Sequence, residues 1–343
     1  MIKVTALTSG KNFPTSRFRI RQFIEPLYRR GIHVVEHSPY PPLFNKYSAP
    51  RISKLGPVWT GGKILARLPG LVASHSGHIT WFERELVPGK VTLERFAGTR
   101  RLFDVDDAIW LISGSSFSEE IASRCYGVIA GNRFLGDHYK KQGARVWVVP
   151  TSVDTGLWKP SDRPESAEWT IGWTGTSSNL GYLYAIEEPL GDFLLQHPGS
   201  RLLVVCDKEP VFKRIPRHGW RFEQWSPERE VNLVQEMDVG LMPLADTEWA
   251  RGKCALKMLM YMAVGIPLVC SPVGANKEVL EHGDAGFSAI TPNDWYEALC
   301  RLFDDRVLSS RLGATGRRVV EEHYSVHRNV VVLAKIFQEV ASS

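Results

Sequence analysis

The sequence is short of the features that mark several large protein classes. It has five cysteines in 343 residues: Cys125, Cys206, Cys254, Cys270 and Cys300. They are widely spaced, odd in number and never at metal-ligand spacing. That excludes a disulfide framework and a structural zinc site, and a reduced, cytoplasmic setting is expected. No apolar run reaches the roughly 20 residues a membrane-spanning helix needs. The longest candidate, from Tyr261 to Cys270, is broken by Gly265 and Pro267. The opening MIKVTALTSG lacks the apolar core of a signal peptide. Low-complexity tracts and repeat periods are missing as well. So is Gly-x-Gly-x-x-Gly, which a nicotinamide enzyme would carry after a first strand; neither loop 8–12 nor loop 172–178 has it.

What is present describes an ordinary globular enzyme, with 43% hydrophobic and 23% charged residues. The length points to two domains. The charge is uneven. Residues 1–155 hold 22 Lys and Arg against 12 Asp and Glu, a net of +10, and the remainder nets −5. A basic first half suits an anionic or lipid-linked partner, or reversible contact with the anionic inner face of a membrane. A solvated basic face accounts for the same charge. Basic and apolar residues interleave at 16–30 and 46–68, the mixture of a peripheral membrane surface. No nucleic-acid partner is expected.

Short apolar runs alternate with helical patterns. IKVTALT, IHVVEH, HITWFE, RLFDV, GVIAG and VWVVP read as six strands of the first half. Helices are expected over 16–30, 62–74 and 132–142. SDRPESAE (161–168) reads as a linker end. The pattern restarts with WTIGWTG, RLLVVCD, RFEQWS, VGLMPL, PLVCS and GFSAI, with helices near 180–196, 227–237 and 254–264. Residues 293–343 read as helices only. The fold class is α/β: two Rossmann-like domains facing a central cleft, with a C-terminal helical tail. The expected bounds are 1–158 for the first domain and 159–324 for the second. A final helix over 325–343 would pack back on the first.

The richest segment is WARGKCALKMLMYMAVGIPLVCSPVG, 249–274. Lys253 and Lys257 stand four apart and would share one face of a helix start. There a helix's free amides and two cations suit a diphosphate; two ordinary surface lysines are the alternative. Arg251 adds a further cation, and Gly175, Thr176 and Ser177 offer amides and hydroxyls to phosphate. In the first half, Ser9 and Gly10 follow the first strand, where glycine lets a ligand approach the backbone. Arg17 and Arg21 share a helical face and offer forked donors to phosphate or carboxylate. Arg84 with Glu85 is a candidate cleft group or a salt bridge. Asp104-Val105-Asp106 spells an Asp-x-Asp metal signature, and strand alternation would put Asp104 and Asp106 on one face and Val105 with Asp107 on the other. Asp106 and Asp107 are read as polar groups at the ligand end of the strand, placed to orient a hydroxyl. His138 and His282 lack a partner carboxylate at recognisable spacing.

These motifs, in this order, resemble family four glycosyltransferases of the GT-B fold. The resemblance is carried by Lys257, Tyr261-Met262-Ala263, Gly265, Pro267, Val273-Gly274, Glu278, and Gly283 with Gly286. Upstream, DVGLMPL (238–244), VVPTSVDTGLW (148–158), IAGNRFL (129–135) and FDVDDAIW (103–110) extend it over about residues 80 to 290. It implies a retaining, metal-independent enzyme that moves a sugar from a nucleotide diphosphate to an acceptor hydroxyl, with no cofactor. Lys253 and Lys257 would hold the leaving diphosphate, which takes the acceptor's proton on the same face. The second domain would bind the donor, with Gly274 and Glu278 in its site, and the first the acceptor, with Asp106 and Asp107 on the acceptor side beside Asn132, Arg17, Arg21 and Arg84. Relatives carry two glutamates eight apart around the lysine-bearing helix, the later one for the donor ribose; here those positions are Gly252 and Met260. Many relatives also place an Arg and a Lys in the loop that is GWTGTSSNLGYL here. These departures keep a non-catalytic nucleotide- or carbohydrate-binding protein, or a sugar-nucleotide epimerase, as alternatives.

Overall fold

The structure is a computed structural model that describes residues 1–44, 56–98, 100–112, 116–161 and 168–343. Lys54, with the rest of 45–55, and nearly all of the expected linker 161–168 lie outside the described residues. The chain divides into two compact units. The first holds Met1–Ser152, Arg251–Cys254 and Val326–Ser343; the second holds Val153–Ala250 and Ala255–Ser325.

All twelve apolar runs form strands. In the first unit these are β1 (Ile2–Leu7), β2 (Ile32–His37), β3 (Ile79–Glu83), β4 (Arg101–Val105), β5 (Gly127–Ala130) and β6 (Val146–Val148). They make a parallel sheet in the order β2-β1-β3-β4-β5-β6. Parallel strands need helices on both faces, so residues of both parities are apolar and buried. On one face Val4, Ala6, Trp81, Leu102 and Ile129 pack against Phe23 and Leu27 of helix Gln22–Tyr28 and against helix Val326–Ser342. That last helix contributes Val330, Leu333, Ile336, Phe337 and Val340, and Phe337 meets Trp81 edge-on at 5.1 Å. On the other face Leu7, Phe82, Phe103, Val105 and Val128 pack against Phe117, Ile121 and Tyr139.

The second unit contains β7 (Trp169–Gly175), β8 (Ser200–Cys206), β9 (Trp220–Gln224), β10 (Val239–Met242), β11 (Leu268–Cys270) and β12 (Gly286–Ser288). Their order is β12-β11-β10-β7-β8-β9. The sheet therefore grows outward in both directions from the β7–β10 pair. In the first sheet the corresponding reversal lies between β1 and β3. In open parallel sheets ligands sit beyond the carboxyl ends of the strands at such reversals.

Three helices differ from expectation: the stretch near 180–196 forms two, Leu180–Tyr184 and Glu187–Gln196. The pattern over 62–74 forms two, Gly56–Leu65 and Leu68–Ser74, the second opening with Pro69 in its first turn, where proline's missing N–H costs nothing. The segment 16–30 starts as a π-helical turn, Ser16–Arg21, before becoming an α-helix. Among the described residues no helix is long and apolar enough to cross a membrane.

Candidate functional site

In the first unit the loops at the β1–β3 reversal are tied by an acid that sequence reading passed over. Glu83 ends β3 and is buried. It accepts from the Ser9 amide (3.1 Å), the Ser9 hydroxyl (2.8 Å) and the Ser16 hydroxyl. Both donors of Ser9 are thus spent inside the unit, so Ser9 shapes its loop rather than offering donors to a ligand. Gly10 follows with φ 123°, a conformation that favours glycine.

Arg84, buried and at φ 59°, comes next. An arginine held in the left-handed region costs on the order of 1 kcal/mol and persists only where its surroundings fix it. Here Nη1 lies 2.9 Å from Asp107 Oδ2 and 3.9 Å from Asp106 Oδ1, and Nε lies 3.7 Å from Glu85 Oε2. β4 stops at Val105, so Asp106 and Asp107 escape strand alternation and both stand by Arg84. Asp104 stays in the strand and faces elsewhere. It accepts from Arg19 Nε (2.8 Å), Arg19 Nη2 (3.3 Å) and Trp81 Nε1 (3.2 Å), all buried. The expected pairing of Asp104 with Asp106 is replaced by this core ion pair. Burial and repulsion from Asp106 push the Asp107 carboxyl up to about 6, against the pull of Arg84 and Lys253.

Arg17 lies over the Phe18 ring at 5.0 Å. Arg21 is paired with Glu36 at 2.5 Å, so its fork already has an acid. Asn132 does not present a free amide to an acceptor. Its oxygen caps helix Arg133–Lys141 at the Leu135 amide (2.8 Å), and Nδ2 donates to the carbonyls of Arg251 (3.2 Å) and Lys253 (3.0 Å). His138 has a carboxylate partner after all, Glu119 at 2.9 Å, and stacks on Trp110 at 3.6 Å. His282 stacks on His323 at 4.0 Å.

The segment Arg251–Cys254 belongs to this first unit and is packed tightly against it. A Cβ on Gly252 would stand 2.5 Å from the Ala108 Cβ and 2.7 Å from its amide nitrogen; one on Gly131 would stand 2.5 Å from Cys254 Sγ. The Cys254 thiol donates to the Asp106 carbonyl (3.2 Å), and burial raises its pKa well above the ordinary thiol value. The absence of a glutamate at 252 therefore has a packing cause: no side chain fits there. Ala255 then takes φ 54°, and the following helix runs Leu256–Ala263. Lys253 precedes that break, so it does not share a helix face with Lys257, as four-residue spacing would suggest. Its charge acts instead on Asp107.

In the second unit Lys257 stands on the first turn of helix Leu256–Ala263. Its ammonium lies 4.4 Å from the ring centre of the fully buried Trp173, and 3.2 Å from where a Cβ on Gly175 would be. A cation on an indole face is attracted by the ring's quadrupole. The ammonium is thereby held at the carboxyl end of β7, and the glycine leaves it room. Beyond Gly175, Thr176 Oγ1 bonds the side chains of Ser178 (2.9 Å) and Asn179 (2.8 Å). The Ser177 amide (2.5 Å) and hydroxyl (2.9 Å) both go to Asp207. Ser177, expected to hold phosphate, has given its donors to an acid.

Several residues of the sequence signature are builders of this corner. The Tyr261 ring covers Gly240, where a Cβ would stand 2.3 Å from it, and its hydroxyl accepts from the Thr174 amide at 3.0 Å. The helix is so pinned to β10 and β7. Gly265 ends it at φ 77°, and Gly274 takes φ 54°, ψ −129° before helix Ala275–Leu280, both suited to glycine. Glu278 lies in the first turn of that short helix. Met260 is 2% exposed and part of the core.

Residues 170–305 match the family model described as Glycosyl transferases group 1. Sucrose-phosphate synthase from Thermosynechococcus elongatus superposes over 100% of both chains with a TM-score of 0.73 at 14% identity. The fold is that of the GT-B glycosyltransferases. Anabaena HepE, solved with UDP and glucose, is similar over 100% of both chains (TM-score 0.67, 15% identity), and so is a glycosyltransferase from Rickettsia africae over 99% and 98% (0.63, 11%). No curated protein matches the sequence. In this GT-B chain the family match spans Lys257, Trp173 and the β7–β10 reversal of the second unit, together with Arg251–Cys254 of the first. Among the described residues there is no group of three or more His, Cys, Asp or Glu placed to hold a metal ion.

Proposed function

We propose that the protein is a glycosyltransferase that moves a sugar from a nucleotide diphosphate donor to an acceptor hydroxyl, with retention and without a metal. The observation that carries this is the Lys257 ammonium fixed on Trp173 beside Gly175, at the strand reversal of the group 1 segment. A preorganised cation there suits the charge that builds on a leaving diphosphate. Similar structures that hold UDP with glucose, or UDP-glucose, support a nucleotide-sugar donor. In the first unit Arg84, Asp106, Asp107 and Lys253 are the acceptor-side group, with Arg17 toward an anionic or lipid-linked acceptor.

The test is a thermal-shift panel of UDP, GDP, ADP, CMP and their sugars, since a ligand of the native state raises stability. The hits are then assayed for transfer with EDTA present, the anomer of the product read by NMR, and salt-dependent flotation on anionic vesicles followed in parallel. One nucleotide diphosphate should stand out, and turnover should survive chelation. Binding without sugar transfer would favour a non-catalytic protein, and donor isomerised without acceptor an epimerase.

The raised Asp107 gives a pH prediction. If the Arg84–Asp107 pair orients the acceptor, kcat/KM should fall as pH drops through about 6, where Asp107 protonates. The stability effect runs the other way. A carboxyl whose folded pKa lies above its unfolded value of 3.8 binds its proton more tightly in the folded state, so its contribution grows as pH falls from 6 toward 4. Activity lost while stability holds is the expected signature, and Asp107→Asn should abolish the acid limb. A limb that survives in Asp107→Asn assigns it to another group.

A further inference from the structure

The second sheet carries an exposed acid at the place where a nucleotide-binding sheet of this strand order keeps one. In such sheets phosphate lies over the loop after the first strand, and the acid that holds the ribose hydroxyls ends the neighbouring strand. Here those strands are β7 and β8, in register up to Gly175 and Cys206. The next residue, Asp207, therefore stands level with the loop 176–179.

Its carboxylate is exposed but oriented. Ser177 donates its amide to Oδ1 (2.5 Å) and its hydroxyl to Oδ2 (2.9 Å), and Gln224 Nε2 holds the Asp207 carbonyl at 3.3 Å. The Cys206 thiol adds a long contact to Oδ1 at 3.5 Å. An ionised carboxylate has about four acceptor positions, so capacity remains on an accessible group already fixed by the loop. Desolvation works against ionisation, but the Ser177 amide and hydroxyl prevail and hold Asp207 below the usual carboxylate range. An anion here would repel phosphate; a neutral diol is the group it fits. The buried thioether of Met260 offers no such acceptor.

We propose that Asp207 accepts hydrogen bonds from the 2′- and 3′-hydroxyls of the donor ribose, an inference that rests on the nucleotide-sugar reading above. Ser177 is then a positioning residue that presents the carboxylate, which is why its own donors are turned away from phosphate.

The experiment compares UDP with 2′-deoxy-UDP by calorimetry in the full chain, the base being replaced by whichever the panel selects. A site built to bond a hydroxyl rejects the analogue lacking it, so the wild type should prefer the ribo form by roughly tenfold or more. Asp207→Ala should bring that ratio close to one, weakening UDP, which loses both hydroxyl bonds, clearly more than 2′-deoxy-UDP, which loses only the 3′ bond. Asp207→Asn keeps an oxygen for the Ser177 amide and should melt with the wild type while losing most of the preference. The proposal is overturned if both variants keep the wild-type ratio, if the wild type shows no preference, or if Asp207→Ala weakens both ligands equally, which marks a purely structural role. A wild type that binds no nucleotide diphosphate removes the donor reading itself, a separate result.

Discussion

Replacing Lys257 by alanine is expected to weaken nucleoside diphosphate binding by roughly 10- to 100-fold and to leave the nucleoside unaffected. A charge-assisted hydrogen bond is worth about 1.5–3 kcal/mol, and Lys257 would make it only to phosphate. The loss in kcat should be comparable or larger, on the order of 100-fold, because charge on the diphosphate grows as the sugar leaves. The variant should fold, since the packing of helix Leu256–Ala263 rests on Met258, Leu259, Met260, Tyr261 and Met262, all buried, and on the Tyr261 hydroxyl bond to Thr174. Titration of UDP against uridine by calorimetry reads the split directly. Equal weakening of both ligands would move the phosphate site elsewhere. Lys253→Ala gives a contrast, because Lys253 lies before the break at Ala255 and acts on Asp107.

The second large effect is on stability. Met260→Glu introduces the acid that family four glycosyltransferases carry in the segment it resembles, and here it should destabilise the second unit by roughly 3–5 kcal/mol, the cost of an uncompensated carboxylate in a core. Met260 is 2% exposed and lies in the middle of the helix that Tyr261 pins to the sheet. Denaturant unfolding at pH 7 measures the loss, and at pH 4 part of it should return as the glutamate is protonated. Unchanged stability together with tighter donor binding would mean that the helix tolerates the acid and that the ribose site lies there, which would also count against Asp207.

The strands were readable because each is a short apolar run, and burial on both faces of a parallel sheet demands that. The signature around Tyr261, Gly265 and Gly274 was readable for a local reason too: φ angles of 77° and 54° call for glycine. What sequence did not reveal depends on distant pairings. Glu83 collects Ser9 and Ser16 from 74 and 67 residues away, and Asp104 takes Arg19 from 85 away. Ser177 looks like a phosphate loop until Asp207, thirty residues on, claims it. The Lys253–Lys257 spacing misled for a different reason: an alanine, with no turn signal, adopts the left-handed conformation between them. Gly252 reads as a lost glutamate until Ala108 is found against it.

The helix Val326–Ser342 covers one face of the first sheet with Val330, Leu333, Ile336, Phe337 and Val340. On the ribosome, β1 through β6 emerge more than 170 residues before that cover is made. Part of their apolar face, around Trp81, has to wait for its cover through the synthesis of the whole second unit. The usual order, in which the leading domain folds first, is therefore inverted: the second unit has all its strands and can close while the first is still open. Maturation of the two units is thereby coupled in time: the first sheet completes this face only after the second unit has been made.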